Sequence, residues 1–126
     1  MAGKKRILIA DDDPELLGLL KFYLGKQGYE TITAESGSQA LTKAQTEKPD
    51  LVLMDVMMPE MDGYHVAQVL TERLGPSCPK IIIMTSRDTQ REQGVAMLSG
   101  AAATLQKPVK LADVKAKIAE FLPPDP

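Results

Sequence analysis

Four short stretches of the chain place oxygen-bearing or cationic side chains just beyond apolar runs. Asp11, Asp12 and Asp13 follow ILIA at 7–10, Asp55 follows LVLM at 51–54, Thr85 and Ser86 follow IIIM at 81–84, and Lys107 follows the run at 102–105. Singly, each has a plain explanation. An Asp after a strand is most often a turn or cap residue. Asp13 before Pro14 fits an N-cap, Thr85 a loop hydroxyl and Lys107 a solvated charge. Together these explanations weaken, because the residues come from four separate segment ends. Carboxylates brought to one rim repel one another and raise each other's pKa. A divalent cation removes that conflict. With only oxygens on offer and no His or Cys cluster, Mg²⁺ fits better than Zn²⁺. An oxygen-bound Mg²⁺ with a lysine and a hydroxyl beside it suits a phosphoryl group. A carboxylate, already ionised at neutral pH, can itself be the nucleophile and form an aspartyl phosphate.

Such groups meet only if the segments carrying them align. The three continuous apolar runs lack polar alternation and read as strands buried on both faces of a parallel sheet. Thr31–Ala34 and Ala102–Leu105 supply two more strands, the former near an edge. Helical spacing fills the intervals. Pro14–Gln27 puts Leu16, Leu17, Leu20 and Leu24 on one stripe after the Asp13 cap, and Gly28 stops it. Ser38–Lys48 carries Ala40, Leu41 and Ala44 inward. Asp62 caps a helix running to Leu74 with Val66, Val69 and Leu70 inward. Thr89–Leu98 forms a weaker helix, and Leu111–Leu122 a last one on Val114, Ile118 and Phe121 or Leu122. Strand then helix, five times, predicts a doubly wound α/β sandwich with right-handed crossovers. In that architecture functional groups gather beyond the carboxyl ends of the strands.

With 126 residues the chain suits one domain. Its 15 Lys plus Arg against 17 Asp plus Glu argue against a whole-domain nucleic-acid surface, though not against a small basic patch. One cysteine, Cys78, permits no internal disulfide. The apolar run after the basic start is too short for a signal peptide, and no stretch is long enough for a membrane span. The expectation is a soluble, cytoplasmic domain over 1–122, with PPDP at 123–126 a tail or the start of a linker.

The blocks ILIADDD at 7–13, LVLMDVMMPEMDG at 51–63, IIIMTS at 81–86 and LQKPV at 105–109 resemble the receiver domain of two-component response regulators, the CheY-like family. The resemblance runs from about Arg6 to Leu122. It implies a flavodoxin-like five-stranded parallel sheet in the order 2-1-3-4-5 and a phosphorylation-dependent signalling switch in place of a turnover enzyme. By the same resemblance Asp55 is the phosphoacceptor, Thr85 the switch hydroxyl and Lys107 the partner of the phosphoryl group. Mg²⁺ is held by Asp12, Asp55 and the Met57 backbone carbonyl, with Asp11 acting through water. The Lys107–Pro108 peptide is expected to be cis. The phosphoryl donor is a histidine kinase, a phosphotransfer protein or a small acyl phosphate. The output is a downstream partner or a further domain, with no direct nucleic-acid binding by this domain.

Five positions depart from the family or tune it. Thr104 stands where an aromatic residue usually follows the switch inward, so a muted or different surface change is expected. Ala102 and Ala103 replace acids used for dimerisation in one DNA-binding subfamily, so a monomer or weak dimer is expected. Met57 and Arg87 flank the acceptor and are expected to shield the phosphoryl group from water. A haloacid-dehalogenase-type hydrolase would need an acid at position 57. A flavodoxin-type cofactor site would need a hydroxyl-rich loop where DDDPE stands. A degenerate receiver, binding partners without phosphorylation, is the alternative that Thr104 keeps open. The remaining polar and sulfur residues read plainly: His65 as a surface residue, Cys78 as a loop or packing thiol, and Met58 and Met61 as packing.

Overall fold

The computed structural model describes residues 4–86 and 89–122. Thus Arg87 and the 123–126 tail lie outside the described residues. Five strands, β1 (Arg6–Ala10), β2 (Glu30–Ala34), β3 (Leu51–Asp55), β4 (Lys80–Thr85) and β5 (Ala103–Gln106), alternate with five helices. These are α1 (Pro14–Lys26), α2 (Gly37–Glu47), α3 (Gly63–Leu74), α4 (Thr89–Leu98) and α5 (Leu111–Phe121). All strand pairs are parallel and the order is β2-β1-β3-β4-β5, as expected, with β2 at an edge.

Two apolar layers sandwich the sheet. On one face Leu8, Val52, Met54, Ile81 and Ile83 meet Ala40 and Ala44 of α2, Val66, Ala67 and Leu70 of α3, and Ala96 of α4. On the other, Ile7, Ile9, Leu51, Leu53, Ile82 and Met84 meet Leu17, Leu20 and Leu24 of α1 and Val114 and Ile118 of α5. The uninterrupted apolar runs are explained by this two-sided burial. Helix starts follow side-chain chemistry: Asp13, Ser36 and Asp62 accept the backbone N–H of Glu15, Gln39 and His65. Val69 is only half-buried, at the margin of the stripe assigned to it.

The crossing point lies between β1 and β3, where the chain winds first to β2 and then back across the sheet. Asp11 leaves the sheet from β1, and Asp55 ends β3, side by side. The topology therefore opens a crevice at the strand ends carrying the acids.

Candidate phosphoacceptor site

Asp55 is the last residue of β3 and only 5% exposed. Its backbone is held on both sides of the strand end. The Val56 N–H donates to the Met84 carbonyl at 3.2 Å, and the Gly63 N–H to the Val56 carbonyl at 2.9 Å. Gly63 also lies so close that a Cβ there would strike the Asp55 carbonyl oxygen. The start of α3 is thereby pressed onto the end of β3, a constraint on close approach and not on φ.

Lys107 reaches this point from the turn after β5. Its Nζ donates to Asp11 Oδ2 at 2.7 Å and lies 3.1 Å from Asp55 Oδ1. Its own N–H donates to the Thr85 carbonyl at 2.7 Å, which carries the strand ladder one step past β5. The Lys107–Pro108 peptide is cis, as expected.

The acidic pair divides its work. Asp11 is fully buried, accepting from Lys107 and from the Asp13 N–H at 3.0 Å. Asp12 is exposed. Single carboxylate oxygens of Asp11, Asp12 and Asp55 lie within 4.8 Å of one another. An all-oxygen set at that spacing, one member open to water, fits a hard octahedral cation such as Mg²⁺ and offers nothing to a softer metal. Asp13 caps α1.

The electrostatics agree with a cluster short of positive charge. Burial, and then the neighbouring charge of Asp11, push the Asp55 carboxyl above its ordinary range; Lys107 pulls the other way and loses. Burial works against the Lys107 ammonium, yet its hydrogen bonds to and the charges of Asp11 and Asp55 hold its pKa above the ordinary lysine value.

Thr85, the last residue of β4, is 2% exposed on the strand next to Asp55. Met57 projects outward at 61% exposure and lines an open groove with Asp12, Met58, Pro59 and Asp62. Thr104 is half-buried and in register with Ile83, so it faces the layer under α2, α3 and α4. His65 is exposed, as expected. Burial pushes the Cys78 thiol up, away from a reactive thiolate. Sequence reasoning missed the clearance role of Gly63 and the link from Tyr64 to Glu92, whose side chains bond at 3.0 Å.

Comparison with known proteins gives one consistent result. Residues 7–119 match the response regulator receiver domain. The chain is 36% identical over 120 residues to the alkaline phosphatase synthesis transcriptional regulatory protein PhoP of Bacillus subtilis, covering 94% of this chain and 48% of PhoP. It therefore spans about half the length of that relative. Protein PilH of Pseudomonas aeruginosa is 38% identical over 104 residues, covering 82% of this chain and 86% of PilH. The crystal structure of a CheY-like receiver domain protein from Methanospirillum hungatei superposes with a TM-score of 0.87 at 33% identity, covering 95% of this chain and 94% of that one. No helix among the described residues is long and apolar enough to cross a membrane. On sequence, fold and the grouping of acids at the sheet's switch point, the chain belongs to the response regulator receiver domains of two-component systems.

Proposed function

We propose that this domain is a phosphorylation-dependent switch whose acceptor is Asp55. The observation that carries the reading is the meeting of Lys107 with both Asp55 and Asp11 beside the exposed Asp12. A histidine kinase or phosphotransfer protein is the donor. An Asp55 carboxylate oxygen attacks phosphorus, and the P–N bond of the donor phosphohistidine breaks. The electron pair stays on the imidazole nitrogen, which takes a proton from solvent. Lys107 offsets charge gathering on the phosphoryl oxygens, and the Thr85 hydroxyl donates to one of them. Mg²⁺, held by Asp12, Asp55, the Met57 carbonyl and Asp11 through water, would supply further neutralisation of the same oxygens.

The new phosphate brings nearly two negative charges to the end of β3. The segment after Thr85, and α4 beyond it, present the altered surface to a downstream partner or an attached output domain. Residues 1–122 act as the receiver unit, in the cytoplasm, as a monomer or weak dimer without direct contact to nucleic acid. Met57, with Arg87, sets how long the phosphoryl group survives.

Thr104 favours one second reading, a receiver that binds partners without being phosphorylated. Incubation with radiolabelled acetyl phosphate and Mg²⁺ separates the two. Acid-stable, base-labile label on the wild type, absent from Asp55→Ala and absent in chelator, supports the switch. An unlabelled, folded wild type refutes it.

A further inference from the structure

The two ends of α4 are held differently. At the C-terminal end Ala96, Ser99 and Ala101 are buried, the Ser99 hydroxyl donates to the Ala96 carbonyl at 2.6 Å, and the Ala102 N–H donates to the Ile81 carbonyl of β4 at 2.7 Å. Gly100, at φ +98°, sits so tightly against Thr71 of α3 that a Cβ would strike the threonine hydroxyl. That end is fixed to both the sheet and α3. From Glu92 to Val95, by contrast, no side chain is fully buried, and Gly94 stands in the open with nothing near it. An open glycine inside a helix weakens it relative to alanine. At this weak end the Tyr64 hydroxyl donates to Glu92 Oε1 at 3.0 Å.

Tyr64 is well placed to hold the helix. It follows Gly63, which is pressed onto the Asp55 carbonyl, and its ring packs against the core layer that α4 also covers. Among the described residues no other Phe or Tyr ring belongs to that layer; Tyr23, Tyr29 and Phe121 lie in the opposite one, and Phe22 is exposed. Thr104, on the same face, is too short to span toward α4 as a ring would.

We propose that the Tyr64–Glu92 bond is a latch on the first turn of α4, and that the helix swings about its fixed end at Thr71 and Gly100 when the latch opens. The latch is a property of the resting fold. That phosphorylation opens it rests on the reading of Asp55 given above. The latch joins the strand end at Asp55 to α4 through three consecutive contacts: Asp55 to Gly63, Gly63 to Tyr64 along the chain, and Tyr64 to Glu92.

Amide hydrogen exchange on the full chain tests it, using wild type, Tyr64→Phe, Glu92→Gln and the double variant. Loss of one hydrogen bond should speed exchange at the amides of residues 93–96 about fivefold and leave those of 100–102 unchanged. The double variant should exceed neither single by more than a small factor. Unchanged exchange at 93–96, or an equal rise at both ends of the helix, overturns the latch. With Mg²⁺ and beryllofluoride, the wild type should show the same rise at 93–96, and Tyr64→Phe little more. If the wild type does not respond to beryllofluoride while Tyr64→Phe still loosens 93–96, the latch stands and the phosphoacceptor reading fails. If the wild type responds and Tyr64→Phe has no effect in either state, the latch is overturned and the phosphoacceptor reading is untouched.

Discussion

Removing the Lys107 charge should destabilise the domain in a way that depends on the cation. Lys107→Met keeps most of the side-chain volume. It leaves Asp11, fully buried, and Asp55, nearly so, without the ammonium that lies 2.7 and 3.1 Å from their oxygens. At an effective dielectric of about 20, those contacts are worth about 6 and 5 kcal/mol before desolvation. Desolvation of a half-buried ammonium returns much of this, and breaking a buried pair costs about 3 kcal/mol net. For a domain of this size that lowers Tm by about 10 °C. The assay is thermal unfolding by circular dichroism at pH 7, in chelator and in 10 mM Mg²⁺. In chelator the full deficit should appear. In Mg²⁺ roughly half should return, because a bound dication answers the same carboxylates. A deficit below about 1 kcal/mol in chelator, or an equal deficit in both buffers, would refute the account of Lys107 as counter-charge to the acidic cluster.

Asp55→Asn should act in the opposite sense. Asp11 and Asp12, within 4.8 Å, together repel the Asp55 charge by about 7 kcal/mol and Lys107 attracts it by about 5, so neutralising it in chelator should stabilise the fold by ~1–2 kcal/mol. The folded pKa of Asp55 is raised, so its charge state favours folding below the ordinary carboxylate value of 3.8 and loses that advantage as pH rises through the raised one. The gain of Asp55→Asn over wild type should therefore shrink as pH is lowered toward 4, as measured by urea unfolding. Met57→Asn should shorten the phosphoryl half-life about tenfold by placing a hydrogen-bonding group where an exposed thioether stands, read from loss of radiolabel at neutral pH. Gly63→Ala should cost about 2 kcal/mol by forcing α3 off the Asp55 carbonyl, with a matching loss of labelling rate at saturating donor.

Much of this was legible because the fold writes its strands as apolar runs. ILIA, LVLM and IIIM are buried on two faces, and their ends converge by topology alone, so Asp11, Asp55, Thr85 and Lys107 came together as expected. The first four strands extend a residue beyond their expected limits at one or both ends, and β5 is displaced by one residue, from Ala102–Leu105 to Ala103–Gln106. Asp55 and Thr85 lie within the ladder because pairing depends on backbone groups, and hydrophobicity marks only burial. The unequal burial of Asp11 and Asp12 was hidden for a related reason: two adjacent residues leaving a strand point to opposite sides, and sequence does not say which side Lys107 will occupy. The Tyr64–Glu92 bond joins residues 28 apart on two helices, and nothing local in either helix announces it. Gly63 reads as a helix-start glycine until the Asp55 carbonyl is seen against it.

That contact changes how a mutational survey of this domain would look. Gly63 carries no charge and donates nothing to a phosphate; its close neighbours are main-chain atoms of Asp55 and Val56. Gly37, whose missing side chain makes room for the Met61 carbonyl, brackets the same loop from the other side. In a signalling screen both positions would tolerate almost no replacement and would rank beside the acids. Sensitivity to substitution would then trace the clearance around Asp55 as faithfully as its chemistry, and a phenotype alone would not tell a spacer from a reactant.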